Sequence, residues 1–467
     1  MTTIESVEPA TETVRARFDS HSAAAVADAI AQADAAFQTW RTVPIADRAV
    51  PMHALARLLR DRKDRYARTI TTEMGKPITE ALAEIEKCAF TCDFYADHAA
   101  AFLADEPVVA NARESLVAFE PLGVVLAVMP WNYPFWQVIR FLAPAFMAGN
   151  AALLKHASNV PQCALTIEEA VRDAGFPAGL LRTLLVPGAD VEPVIADARV
   201  RAVTLTGSTA TGARIAELAG RAVKKAVLEL GGSDPFIVLR DADLGPAAET
   251  ATKARFQNAG QSCIAAKRFL VEAPVAADFE RRFADAIRAL RVGDPLDPAT
   301  QVGPLAREDL RDALHRQVRQ SVRMGARVVV GGSKREGKGW FYEPTLLADV
   351  TEDMPVLNEE TFGPVAAVLS VRDADEAVRI ANSSPYGLGA AIWTSDIAAA
   401  LAIARRIESG SVFINGMVAS DPRLPFGGVK QSGYGRELSH FGIREFVNIQ
   451  TIWIGPAQQP AKVANAE

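Results

Sequence analysis

The stretch "VVLAVMPWNYPFWQVIRFLAPAFMAGNAALLKHAS", residues 124–158, decides the fold. It opens on an apolar run, 124–128, with no polar alternation. Strands buried on both faces of a parallel sheet read this way, whereas half-exposed strands alternate. A Pro-bounded turn follows, then a helix predicted over 135–148, then a second apolar run at 151–154. Strand, helix and strand in this order make one βαβ unit.

The same rhythm extends outward. Further apolar runs lie at 183–186, 202–205 and 226–228, separated by helical patterns at 164–174, 191–196 and 210–219. Right-handed crossovers then give a doubly wound, Rossmann-like sheet. After Gly231 and Gly232 a second alternation begins, with strands predicted at 236–239, 268–271, 326–330, 365–370, 390–393 and 412–414 and a helix at 244–257. The main boundary is therefore expected near Gly232. Ahead of the first unit, 24–101 reads as helical. "SLVAFEPLGVV", 115–125, reads as a hairpin arm about its Pro-Leu-Gly turn, and 455–467 as a loose tail. No internal repeat is evident.

Composition narrows the class. At 467 residues the chain is too long for one small core. A net charge of −6 and the absence of any basic run argue against nucleic acid and anionic membrane as partners. The N-terminus lacks the cationic start and apolar core of a secretory signal, and no apolar run approaches the length of a membrane span. Four cysteines in so long a chain do not suggest a disulfide scaffold, and a reducing cytoplasm is expected. Cys88 and Cys92, one helical turn apart, read as core residues. Without CxxC or HExxH, and with six scattered histidines, no metal site is expected.

Ligands of open α/β sheets sit beyond the carboxyl ends of the strands. After the run at 151–154 comes Lys155-His156-Ala157-Ser158; after that at 202–205 comes "TGSTATG", 206–212, opening a helix. A helix N-terminus behind glycine favours a phosphate, although GxGxxG is absent and an ordinary strand-to-helix turn would look the same. The second strand ends without the carboxylate that would bind an unmodified ribose and repel a 2′-phosphate. Lysine and serine there favour NADP, with NAD as the alternative.

Four polar patches interrupt apolar or glycine-rich surroundings: Asn132 in "MPWNYP", Glu229 in "LELGG", Cys263 in "GQSC" and Glu360 in "NEETFGPV". Each has a bland reading: a turn amide, an acid satisfied by nearby amides, a core thiol, a solvated acidic pair. Glu229 resists it most, because it ends an apolar strand where a carboxylate is costly to bury without a partner.

Taken together, "PWNYP", "LTGSTATG", "LELGG", "NAGQSC", "EETFGPV" and "LPFGGVKQSGYGRE" resemble the aldehyde dehydrogenase superfamily in order and spacing, over about residues 20–455. The resemblance implies an α/β fold of three parts. These are a Rossmann-like cofactor domain (1–111 and 123–231), a catalytic domain (232–446) and an oligomerisation arm (112–122 and 447–457), assembled as a homodimer or homotetramer. It implies Cys263 as nucleophile, Glu229 as general base and Asn132 as oxyanion donor beside the Cys263 N–H. Trp131, Asn132, Lys155, His156, Ala157, Ser158, Gly207, Ser208, Leu230 and Glu360 are implied as cofactor contacts. The chemistry is coherent without histidine: a thiolate adds to the aldehyde, donors stabilise the oxyanion, hydride leaves, and a base activates water on the thioester. Glu229 suits the last step if burial raises its pKa.

Longer matches, "WNYPFWQVIRFLAPAFMAGN", "LKHASNVPQCA" and "NGMVASDPRLPFGGVKQSGYGRELS", resemble the bacterial succinate-semialdehyde dehydrogenase branch, enzymes of 4-aminobutanoate degradation. The resemblance implies that Arg140 and Ser420 hold the distal carboxylate; an ion pair on a helix is the other reading of Arg140. Two departures stand out. Gln257 occupies a place where some members carry a second arginine, and Ala265 one where some carry a second cysteine, so no local disulfide switch is expected. The alternatives are a broader medium-chain or aromatic aldehyde dehydrogenase, a CoA-acylating relative (disfavoured by Glu229), and a non-catalytic dinucleotide-binding protein.

Overall fold

The computed structural model describes residues 2–455, so the expected tail falls, from residue 456, outside the described residues. The apolar runs of the first unit pair side by side because each is buried on both faces. They form a six-stranded sheet in the order Gly433–Tyr434, Lys225–Glu229, Val200–Thr206, Val124–Met129, Ala151–His156, Leu181–Thr183. Pairing is parallel except at Gly433–Tyr434. The chain lays strands to one side of Val124–Met129 and then returns to the other. That reversal opens a crevice at the carboxyl ends, where Trp131, Asn132 and the turn after Thr206 lie.

The second unit is a seven-stranded sheet in the order Arg327–Val330, Thr345–Ala348, Val365–Val371, Ala266–Glu272, Asp234–Val238, Gly389–Trp393, Ser411–Ile414. Only its first strand is antiparallel. Thr345–Ala348 was not foreseen; it is short and follows a glycine-rich loop. Separate hydrophobic cores pack each sheet, one drawn chiefly from residues 29–230 and two from residues 236 onward.

The helical N-terminal text resolves into Ala23–Trp40, Ile45–Asp61, Lys63–Met74 and Ile78–Phe102. Cys88 and Cys92 are unbonded and buried on the last of these. Before them lies an unforeseen hairpin, Thr3–Glu8 with Thr13–Asp19, anchored where Ser6 Oγ donates to buried Glu73 at 2.7 Å.

The expected hairpin at 115–125 is corrected. Glu114–Pro121 pairs with Val447–Ile454 and with Glu106–Pro107 in a third, antiparallel sheet, while Val124–Met129 belongs to the six-stranded sheet. The Pro-Leu-Gly turn passes the chain from one sheet to the other. Among the described residues no helix is long and apolar enough to cross a membrane.

Candidate active site

Cys263 follows an unusual connection between the helix Leu244–Phe256 and the strand Ala266–Glu272. Asn258, Ala259 and Gly260 are successively left-handed, with φ of 54°, 52° and 72°. Two of the three carry a Cβ, and such conformations persist only where surroundings impose them. Glu80 does so by accepting the Asn258 N–H at 2.7 Å. Asn258 Nδ2 donates to the carbonyls of Asn132 (2.8 Å) and Gln261 (3.1 Å), and the Gln261 side chain accepts the Ala306 N–H. The result is a rigid bend that delivers a half-buried thiol. Burial pushes the Cys263 thiol up to about 12; Arg140 and Lys267 pull it down, and Glu229 and Glu360 add to the rise.

Lys267 was missed in the sequence. Its side chain is fully buried, and Nζ donates to the carbonyls of Ser262 (3.1 Å) and Cys263 (2.8 Å). The Ser262 carbonyl and the Cys263 N–H are two ends of one peptide, so the ammonium both fixes and polarises that N–H.

Glu229 ends its strand and is 2 % exposed. Neither carboxyl oxygen has a hydrogen-bond partner. Burial raises its pKa to about 8; Glu437 adds to the rise, and Arg140 and Arg436 oppose it. The side chain fits because Gly427 faces it: a Cβ there would lie 2.9 Å from Glu229 Oε1. The glycine pair after Glu229 has a comparable cause, since a Cβ on Gly232 would stand 2.5 Å from the Cys263 carbonyl oxygen.

Asn132 is buried, and its Nδ2 donates to the Gln261 carbonyl at 3.0 Å. An amide nitrogen carries two hydrogens, so one remains for a ligand. The helix after it, Trp136–Met147, starts where Glu84 accepts the N–H groups of Phe135 and Trp136, both at 2.9 Å. That cap sets the direction of Arg140.

A cleft of roughly 160 Å³ reaches Cys263. Arg140, Gln257 and Ser420 line it together with Tyr133, Trp136 and Lys87. Arg140 fits both readings of the sequence. It borders the cleft, yet it is 2 % exposed, forms an ion pair with buried Glu437, donates to Thr206 Oγ1 at 3.2 Å and stacks over Phe426. Lys87, unforeseen, donates to Ser420 Oγ at 2.7 Å and sits 4.1 Å over the Trp136 ring.

On the cofactor side the expected contacts divide. Lys155 is half-buried and makes no hydrogen bond or ion pair among the described residues, and burial lowers its pKa. Such a cation fits an anionic ligand. Ser158 is exposed beside it, and Ala157 half-buried. His156 turns both ring nitrogens to the protein itself. Its Nε2 faces the Pro134 carbonyl, its Nδ1 accepts the Ala157 N–H (both 2.9 Å), and burial lowers its pKa to about 4. The neutral imidazole ties two loops together and offers a ligand no free nitrogen. Ser208 caps the helix Thr209–Arg221, while the Gly207 N–H is spent on the Glu229 carbonyl at 2.9 Å and the Leu230 N–H on Ser432. Trp131 packs edge-on against Phe362. Glu360 accepts the Gly232 N–H at 3.0 Å and stands 3.7 Å from Lys267. Among the described residues no group of three or more His, Cys, Asp or Glu side chains is placed to hold a metal ion.

Comparison with known proteins decides the family: a model described as the aldehyde dehydrogenase family matches residues 1–452. The chain belongs to the aldehyde dehydrogenase family. Its two parallel sheets and crevice are the aldehyde dehydrogenase fold. A succinate-semialdehyde dehydrogenase (NADP(+)) of Mycobacterium avium is 50% identical over 97% of this chain and 97% of its own length. A succinate semialdehyde dehydrogenase (NAD(P)+) of Escherichia coli is 50% identical over 92% of this chain and 93% of its own. The crystal structure of succinic semialdehyde dehydrogenase from Streptococcus pyogenes in complex with NADP+ superposes with a TM-score of 0.95 at 40% identity, covering 97% of this chain and 100% of that one.

Proposed function

We propose that this aldehyde dehydrogenase oxidises succinate semialdehyde to succinate with NADP+, through a thiohemiacetal and a thioester on Cys263. The observation that carries the reading is one cleft joining the Cys263 thiol to two cationic side chains and Ser420, the layout required by a short aldehyde with a carboxylate at its far end. The named activities of the relatives support the substrate and cofactor.

Lys155 and Ser158 would hold the 2′-phosphate, and the N-terminus of Thr209–Arg221, with Ser208, the pyrophosphate; Gly207, Leu230, Trp131 and Glu360 border the same crevice. When bound, NADP+ supplies the hydride acceptor.

Burial holds the resting Cys263 thiol well above neutrality, so a standing thiolate is rare. As the S–C bond forms, the proton passes from sulfur to ionised Glu229, which releases it to solvent before the next step. The new alkoxide meets the Cys263 N–H, polarised through Lys267, and the free hydrogen of Asn132. Donors of this kind contribute roughly 3–4 kcal/mol each where measured. After hydride loss, ionised Glu229 takes a proton from the attacking water, the C–S bond breaks, and Glu229 returns that proton to the leaving sulfur to restore the thiol.

The division into units 1–111 with 123–231, 232–446, and 112–122 with 447–457 belongs to the same proposal, with two refinements. The arm's sheet starts at Glu106, and Gly433–Tyr434 completes the first unit's sheet. A homodimer or homotetramer is supported by the edge strand Val447–Ile454, which exposes Ile449, Ile452 and Trp453. Four unbonded cysteines support a cytoplasmic setting. The test is kcat/KM for succinate semialdehyde and for butanal, each with NADP+ and NAD+. A wild-type enzyme that does not prefer the acid aldehyde refutes the substrate, and one that prefers NAD+ refutes the cofactor.

A further inference from the structure

The cleft holds two cations, and they are not equivalent. Arg140 already faces two buried carboxyl groups, Glu437 in direct contact and Glu229 nearby. A substrate carboxylate brought to Arg140 would have to share its guanidinium with Glu437. Lys87 has no carboxylate within ion-pair distance among the described residues, and its ammonium rests on a neutral hydroxyl and an aromatic face. The acids that could answer it are engaged elsewhere. Glu84, one turn earlier on the same helix, pairs with Lys76 and caps Trp136–Met147; Asp421 is held by Arg423. Burial, with Arg140 opposite, lowers the Lys87 pKa to about 8 against the pull of Glu84 and Asp421. This is a half-buried cation lacking a counter-ion in a cleft that ends at a nucleophile.

From this we infer that Lys87, with Ser420, supplies a second cationic contact to the distal carboxylate of the substrate, beside Arg140, whose guanidinium is shared with Glu437. The inference rests on the proposed substrate and deepens it. It also accounts for Gln257 where some members of the branch carry a second arginine: the second positive charge comes from the helix Ile78–Phe102 instead.

The experiment compares wild type, Lys87→Met, Lys87→Arg and Arg140→Met in kcat/KM for succinate semialdehyde relative to butanal. A hydrogen bond to a charged group contributes roughly ten- to hundred-fold in affinity. Lys87→Met should therefore lower the acid-to-butanal ratio by about that factor, mainly through KM for the acid. Lys87→Arg should recover most of it. In wild type, KM for the acid should rise above about pH 8, where Lys87 loses its charge, while KM for butanal does not. A wild type with no preference for the acid overturns the substrate reading and this inference together. A wild type that prefers the acid, with the ratio kept in Lys87→Met and lost in Arg140→Met, overturns this inference alone.

Discussion

Glu229 makes the sharpest prediction. Its carboxyl is buried without a hydrogen bond and sits near pKa 8. Only the ionised form can accept a proton from water, so about one molecule in eleven is competent at pH 7 and about ten in eleven at pH 9. Thioester hydrolysis should therefore rise about tenfold across that interval. Butanal is the substrate to use, because it lacks the carboxylate that would make Lys87 titration visible. The acyl-enzyme is formed rapidly, and its decay is followed by intact mass. Glu229→Gln should lose the pH dependence, slow decay by roughly 10²–10⁴ and accumulate the acyl-enzyme. A flat wild-type profile between pH 7 and 9, or decay in Glu229→Gln at the wild-type rate, refutes the base assignment. Stability gives an independent arm. An acid whose folded pKa is raised binds its proton more tightly in the folded state. Wild type should thus lose stability as pH rises from about 4.5 to about 8, by a few kcal/mol. Glu229→Gln removes that loss, and its melting temperature should gain on wild type between pH 5 and pH 8.

Cys263→Ala should abolish aldehyde oxidation and retain NADP+ binding, checked by ligand fluorescence; retained activity refutes the nucleophile. Lys267→Met should lower the acylation rate about tenfold with little change in KM, because it loosens and depolarises the Ser262–Cys263 peptide; single-turnover hydride transfer at the wild-type rate refutes that role. Ile452→Asp with Trp453→Asp should shift the protein to smaller species in sedimentation if the Val447–Ile454 edge joins protomers; an unchanged distribution refutes it.

The first sheet was legible because its strands are buried on both faces. Runs such as 124–128 and 202–205 carry that burial in their composition. The N-terminal hairpin was not, because its second strand has no buried residue and its polar text imitates a loop. The Pro-Leu-Gly turn at 121–123 misled for another reason: turn chemistry shows where a chain bends, not which strand it joins. In the site, Cys263, Glu229 and Asn132 stood out because a polar group in an apolar or glycine-rich setting needs explaining. Lys87 and Lys267 gave no such signal. Lysine on a helix reads as solvated surface, and Lys87 meets Ser420 from 333 residues away. His156 shows the converse, since a histidine beside a predicted phosphate site proved to be fully occupied by backbone.

The short strand Gly433–Tyr434, paired with Leu228 and Glu229, bears on how the enzyme comes into being. Ser432 bonds Gly231 across 201 residues, and Glu437 reaches Arg140 from the same late segment. The surroundings of Glu229 are complete only when nearly the whole chain has been synthesised and docked. Contacts this distant form slowly. In refolding, helical signal should therefore return first and catalysis last, so that turnover reports the fully assembled chain.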